Sequence, residues 1–276
     1  MKEELRSVVR GADNPGLAGN LAREYLQARI LLALLDAGAM IPLAFQGGTA
    51  LRFLFGLPRF SEDLDFALER PDRAGRDFFS RLGDRVTAQL KRDGYDVVTK
   101  RKADRVVRSL MIGFPGLPHD IGLSPHPSQR LSIRVEIDTK PPAGAGLATT
   151  IVRRHTLLHV QHHDRPSLLA GKLHAVLQRR WPKGRDLFDL FWYLSDPMWP
   201  DPNLVLLNNA LGQMGSSRPA LTESSWRSVV RDRVESLDWK AAEHDVAAFL
   251  EPGPAAGLFG REPLLALLGS SRGRGQ

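Results

Sequence analysis

Apolar residues recur at helical spacing between residues 17 and 38, at Leu21, Tyr25, Ala28, Leu31, Leu32 and Leu35, and Gly38 is placed to cap the C-terminus. The pattern then shortens. Residues 42–46 predict a brief buried strand, Gly47, Gly48 and Thr49 a turn, and residues 50–55 a helix that Gly56, Leu57 and Pro58 end. Residues 64–68 predict the next strand, with two acids at its start. Phe78, Phe79, Leu82, Val86 and Leu90 line the inner side of a helix over residues 73–92, closed by Gly94. Strands follow at 95–101, 106–114 and 131–139, and the KPPAGAG stretch at 140–146 reads as loop. From Ser167 onward the period is helical. One stripe is Leu169, Leu173, Val176 and Leu177; another is Leu187, Leu190, Phe191 and Leu194, with Pro182 and Gly184 breaking the chain between them. Further helices are expected at 203–214, 223–236, 239–250 and 263–268. The order implies an α+β protein: an N-terminal mixed sheet with flanking helices over residues 1–160, then a helical domain over 161–276 with a disordered tail near 270–276.

Composition narrows the classes. With 276 residues, 42% hydrophobic and 25% charged, the chain has room for one large or two moderate domains. It has no cysteine, which excludes disulfides, thiolate zinc sites and a cysteine nucleophile and fits a reducing compartment. The first fifteen residues lack a secretory apolar core, and no apolar run approaches the ~18 residues of a membrane span. A cytoplasmic protein without membrane association is therefore expected. The formal charge of +7 and pI near 10.0 favour polyanionic partners, nucleic acid above all.

Candidate chemistry concentrates in residues 46–66, QGGTALRFLFGLPRFSEDLDF. Side chains on a strand alternate between faces, so Asp63 and Asp65 point the same way, with Ser61 toward the same side. Two convergent carboxylates suit a hard divalent cation. Gly47 and Gly48 let a phosphate approach the backbone, and Thr49 offers a hydroxyl where the next helix begins. No Gly-x₄-Gly-Lys-Ser/Thr occurs, so an ordinary P-loop is excluded. His155, His159, His162 and His163 lack metal-site spacing and read as a polar loop.

The run GGTALRFLFGLPRFSEDLDF resembles the signature of the AbiEii/AbiGii-type nucleotidyltransferase toxins, which include the mycobacterial MenT-like toxins and belong to the polymerase-β-like nucleotidyltransferase superfamily. The likeness is close over this run and continues more loosely to about residue 194. It implies Mg²⁺ or Mn²⁺, an NTP substrate, and a third acid on a later strand. LSIRVEIDTK offers Glu136, or alternatively Asp138, on the polar face of an alternating strand. The plainer alternative there is an exposed face on which Arg134 pairs with an acid. Lys172 matches the family's Lys-x-x-Ala motif as a triphosphate-binding lysine. Asp186 in GRDLFDLFWYL matches the following motif, with Asp189 as a weaker match and Arg185 as a possible nucleotide contact. Ser61 corresponds to a serine that contacts phosphate or is itself phosphorylated. On this likeness the helical domain completes the NTP and acceptor site.

Three basic clusters could meet an RNA backbone: Lys100, Arg101, Lys102, Arg105 and Arg108; Arg153 and Arg154; and Arg179, Arg180, Lys183 and Arg185, with Trp181 inside the last for stacking on a base. The reading that follows is a toxin transferring NMP to the 3′ end of tRNA or another RNA, partnered by a cognate antitoxin, and monomeric. The alternatives are transfer to a small molecule such as an antibiotic or to a protein side chain, and a non-catalytic NTP- or RNA-binding regulator.

Overall fold

The computed structural model describes residues 2–215 and 219–269, so the tail expected to be disordered lies outside the described residues. The chain divides into two compact units. The first comprises Met1–Gly56, Phe60–Pro141 and Ala148–His162; the second comprises Leu57–Arg59, Pro142–Leu147 and the chain from His163 onward.

The first unit is built on seven strands: β1 (Leu43–Gln46), β2 (Asp63–Leu68), β3 (Val98–Lys102), β4 (Val107–Pro115), β5 (Arg130–Asp138), β6 (Leu147–Arg154) and β7 (Thr156–His163). Their order is β3-β4-β5-β2-β1-β7-β6. β2 runs antiparallel to β1 and parallel to β5, and β4 is antiparallel to both β3 and β5. The helices are α1 (Lys2–Arg10), α2 (Pro15–Asp36), α3 (Gly47–Phe55), α4 (Phe78–Arg92) and the single turn α5 (Leu117–Asp120). Asn14 starts α2, accepting from the Leu17 N–H with Pro15 in the first turn, the arrangement that satisfies an orphan donor at a helix start.

Strand alternation divides the sheet into two unlike faces. Leu64 and Phe66 on β2, Leu110 and Ile112 on β4, and Ile133, Val135 and Ile137 on β5 are all buried on one face. That is also the side of α4, where Arg108 lies over the Phe79 ring and Arg101 reaches Ser80 and Asp84. Asp63, Asp65, Arg134 and Glu136 occupy the other face, half-buried or exposed.

The structure departs from the sequence expectations in several places. α4 begins at Phe78 rather than residue 73, because Pro71–Arg73 form a separate 3₁₀ turn and Gly75 follows it. β3 begins at Val98 rather than residue 95. α1 had no expected counterpart. The histidine-rich segment is no polar loop: β7 runs through it, its inward positions Leu158, Val160 and His162 buried and Leu157 and His159 exposed. Thr150 hydrogen-bonds the His162 ring at 2.8 Å.

A buried charge cluster stiffens this unit. Arg52 of α3 pairs with Glu24 of α2 and lies 4.0 Å over the Phe60 ring. Arg154 and His155, at the turn between β6 and β7, also reach Glu24, at 3.6 and 3.0 Å. Burial opposes the Glu24 charge, but His155, Arg52 and Arg154 more than offset it and hold its carboxyl below the usual range.

The second unit is helical: α6 (Arg165–Gln178), α7 (Gly184–Ser195), α8 (Leu204–Gln213), α9 (Trp226–Glu235), α10 (Trp239–Ala247), α11 (Pro254–Leu258) and α12 (Arg261–Gly269). Asp164 caps α6 by accepting from the Ser167 N–H at 2.9 Å. α7 packs against α10 so closely that a Cβ on Gly184 would overlap the Ala242 backbone, which fixes glycine there. Phe188 and Phe191 of α7 meet Phe259, and Trp239 of α10 meets the same ring. Among the described residues no helix is long and apolar enough to cross a membrane.

Candidate active site

In the first unit the register between strands assembles the acids. Asp65 lies beside Glu136 across the β2–β5 pair, Asp63 beside Arg134, and Ala67 beside Asp138. Asp63 and Asp65 are two residues apart on β2 and share a face, so Glu136 directly flanks the pair while Asp138 lies one step further along. Of the two expected third acids, Glu136 is the one in register. From the other side, Gln46 pairs with Asp65, and the chain turns at Gly47 into α3. Gly47 has φ +79°, and a Cβ placed on it would come within 2.5 Å of Asp65 Oδ2. Only glycine tolerates both the left-handed backbone and this approach. The Gln46 side chain does not cap the start of α3.

One residue expected at a phosphate has its hydroxyl engaged within the fold. Thr49 is fully buried, and its hydroxyl donates to the Asp63 carbonyl, pinning the start of β2 instead of meeting a ligand. Ser61 is half-buried, and its carbonyl accepts from Gln27 Nε2 at 3.0 Å.

Arg134 stands between the acids. Its Nε is 4.0 Å from Asp63 Oδ1 and its Nη1 is 3.3 Å from Glu136 Oε1. Asp63 first, then Glu136 and Asp65, push the guanidinium further into its charged form despite partial burial. This is the arginine–acid pairing anticipated as the plainer reading of the strand, and it coexists with the acid cluster. Among the described residues, no group of three His, Cys, Asp or Glu side chains is arranged to hold a metal ion as they stand. The donor set nonetheless fits a hard divalent ion, with three half-exposed carboxylates on two adjacent strands, once the Arg134 guanidinium moves aside.

Beyond Glu136 the same face opens into a groove of about 680 Å³ lined by Lys100, Lys102, Arg105, Arg134, Glu136 and an apolar floor that includes Val107 and Met111. Cross-strand rows explain it. Lys100, Met111, Arg134 and Asp63 form one row, and Lys102, Ser109, Glu136 and Asp65 the next. The first basic cluster therefore splits, since Lys100, Lys102 and Arg105 line the groove whereas Arg101 and Arg108 turn to α4.

The second unit brings Lys172, Asp186 and Asp189 together. Lys172 Nζ is 2.7 Å from Asp189 Oδ2 and 3.3 Å from Asp186 Oδ1. Arg59 holds Asp189 with two parallel bonds of 2.6 and 2.5 Å, and Arg179 pairs with Asp186. Burial opposes charge on Lys172, but Asp189 and Asp186 outweigh it and keep the ammonium protonated. Burial likewise works against the Asp189 carboxylate, and Arg59 and Lys172 reverse it, leaving its pKa below the usual range. Arg59, Lys172 and Arg179 converge on these two carboxylates. Asp189 is its fully buried centre, more deeply engaged than Asp186. An acid flanked by buried Leu187, Phe188, Leu190 and Phe191 must be paired, and that flanking run was the sequence signal for it. Arg59, inside the signature run, had no such signal. Arg185 lies 4.2 Å over the Phe249 ring. Trp181 is 74% exposed with Arg180 5.5 Å over its ring, in the link that follows α6, and Arg233 ties that link by donating to the Arg179 and Arg180 carbonyls.

A mixed sheet with a glycine-led helix start against one of two same-face carboxylates, and a third acid in register on the next strand, has the form of a nucleotidyltransferase. Residues 29–259 match the family model described as nucleotidyl transferase AbiEii toxin, Type IV TA system. The chain belongs to that family of toxin–antitoxin nucleotidyltransferases, which take an NTP as substrate and occur with a cognate antitoxin. Among solved structures, a Helicobacter pylori protein described as a nucleotidyltransferase candidate is 17% identical, covering 88% of this chain and 90% of its own, with a TM-score of 0.49. JHP933 from Helicobacter pylori is also 17% identical, covering 89% and 88%, with a TM-score of 0.48. No curated protein matches the chain.

Proposed function

We propose that the protein transfers a nucleoside monophosphate from an NTP to the 3′ hydroxyl of an RNA, with tRNA as the acceptor, at Asp63, Asp65 and Glu136. The observation that carries this reading is the register that places Glu136 beside Asp65 while Gly47 abuts the same carboxylate from the opposite side. The acceptor oxygen forms a bond to the α-phosphorus, the bond from that phosphorus to the bridging oxygen breaks, and pyrophosphate leaves. Bound Mg²⁺ or Mn²⁺ would supply charge neutralisation for the triphosphate and the attacking oxygen. Asp63 and Asp65 would hold that ion; Glu136 either joins them or takes the hydroxyl proton. The start of α3 at Gly47 and Gly48 offers N–H groups to phosphate oxygens.

In the helical unit, Lys172 and Arg179 are the anion-binding groups we assign, with Asp186 and Asp189 positioning them. Trp181, Arg180 and Lys183 form an exposed stacking and phosphate-contact surface suited to the acceptor RNA. A phosphate on Ser61, two residues from Asp63, would repel the acids and silence the site. Tailed tRNA could not be aminoacylated, which is how such transfer would stop translation.

The test is incubation with each α-labelled NTP, Mg²⁺ and total tRNA. Label on RNA, lost when the RNA's 3′ diol is first oxidised with periodate, is the expected result. Label on protein or on nothing would overturn the assignment.

A further inference from the structure

Arg134 reaches two of the three acids, and its surroundings let it leave. Its side chain is 44% exposed, and its contacts to Asp63 and Glu136 are 4.0 and 3.3 Å, long for a committed ion pair. A divalent ion held by the same carboxylates would repel a guanidinium at that distance. The groove gives the guanidinium somewhere to go. Arg134 already lines it with Lys100, Lys102 and Arg105, and Met111, its neighbour in the cross-strand row, offers apolar surface for the aliphatic stem.

We propose that Arg134 is a mobile counter-cation: divalent metal entering Asp63, Asp65 and Glu136 displaces it into the groove, where it binds the phosphates of the nucleic-acid ligand. The inference rests on the reading of those acids as metal ligands. Two consequences follow. Arg134 competes with the metal, so it weakens metal binding. Metal loading also releases the Arg134 charge from the acids to a polyanion in the groove, so it strengthens binding there. A purely structural arginine would do neither, because its loss would loosen the acids and weaken the metal site.

The experiment is calorimetric titration of Mn²⁺ into the full chain without nucleotide, for wild type, Arg134→Gln and Arg134→Lys. Arg134→Gln is expected to bind Mn²⁺ three- to tenfold more tightly, and Arg134→Lys, which keeps the charge, to stay within twofold of wild type. A second readout is binding of a fluorescent single-stranded oligonucleotide with and without Mn²⁺. Mn²⁺ is expected to tighten it about threefold in wild type and not in Arg134→Gln. Unchanged or weaker Mn²⁺ binding by Arg134→Gln overturns the proposal, as does equal tightening by Arg134→Lys or Mn²⁺ enhancement that persists in Arg134→Gln. Absence of Mn²⁺ binding in wild type overturns the metal reading along with it; binding in wild type with no response to the Arg134→Gln change overturns the counter-cation alone.

Discussion

Replacing Asp189 by Asn tests whether the helical unit depends on its buried charge network. Asp189 is 0% exposed, accepts two bonds from Arg59 and one contact of 2.7 Å from Lys172. Asn keeps the shape and removes the charge that Arg59 and Lys172 both contact. Removing one partner of a buried pair costs about 3–5 kcal/mol, because the surviving charge is uncompensated. Against a total stability of roughly 5–15 kcal/mol this is a large fraction. The contacts predict an asymmetry. Arg59→Gln leaves Asp189 with Lys172 and should cost less than Asp189→Asn. The assay is urea unfolding followed by tryptophan fluorescence. All five tryptophans, at 181, 192, 199, 226 and 239, lie in the helical unit, so the signal reports that unit. With a slope of roughly 1–3 kcal/mol per molar urea, Asp189→Asn should lower the midpoint by roughly 1–5 M. A shift below about 0.5 M, which at that slope is at most ~1.5 kcal/mol, or a larger loss from Arg59→Gln, would refute the reasoning.

Other consequences are independent of that one. Gly47→Ala forces a left-handed backbone on alanine, costing about 1–2 kcal/mol, and pushes Asp65 from its place; thermal melting should show the stability loss and labelling of RNA a larger loss of activity. Trp181→Ala should leave stability within about 0.5 kcal/mol, since the ring is exposed, while weakening RNA binding by about 1–3 kcal/mol in a filter-binding titration. Burial, then the Arg179 charge, lowers the His174 pKa, so the folded state resists a proton the unfolded chain accepts. The helical unit should therefore lose stability as pH falls below ~6.5, and His174→Leu should flatten that limb of a pH–urea profile. The depressed pKa of Asp189 has the same sign at lower pH: its stabilisation is full above ~3.9 and is lost as pH falls further, so the gap between wild type and Asp189→Asn should close only in strong acid.

Much of this architecture could be read from residue patterns, and the exceptions have physical causes. The strand of Glu136 was evident because Leu131, Ile133, Val135 and Ile137 alternate strictly with polar residues, the mark of a sheet with one buried face. β6 escaped because its residue types, LATTIVRR, do not follow its alternating exposure: Leu147 and Ile151 are exposed. β7 escaped because His162, a polar type, takes an inward position where Thr150 satisfies it. The choice between Glu136 and Asp138 needed the register with β2, which no single strand's sequence contains. Thr49 illustrates the converse. Its place in the signature invited a ligand contact, and only the folded backbone reveals that the Asp63 carbonyl takes its hydroxyl. Arg59 pairs with an acid 130 positions away, a contact outside the reach of local pattern.

The central claim is that Asp63, Asp65 and Glu136 carry nucleotidyl transfer to RNA. Its most direct test compares wild type with Asp63→Asn plus Asp65→Asn, and with Glu136→Gln, in the α-labelled NTP assay with tRNA, each variant first shown to melt like wild type. The account predicts labelled tRNA from wild type and none above background from either variant. Labelling by the double variant at the wild-type rate would contradict it.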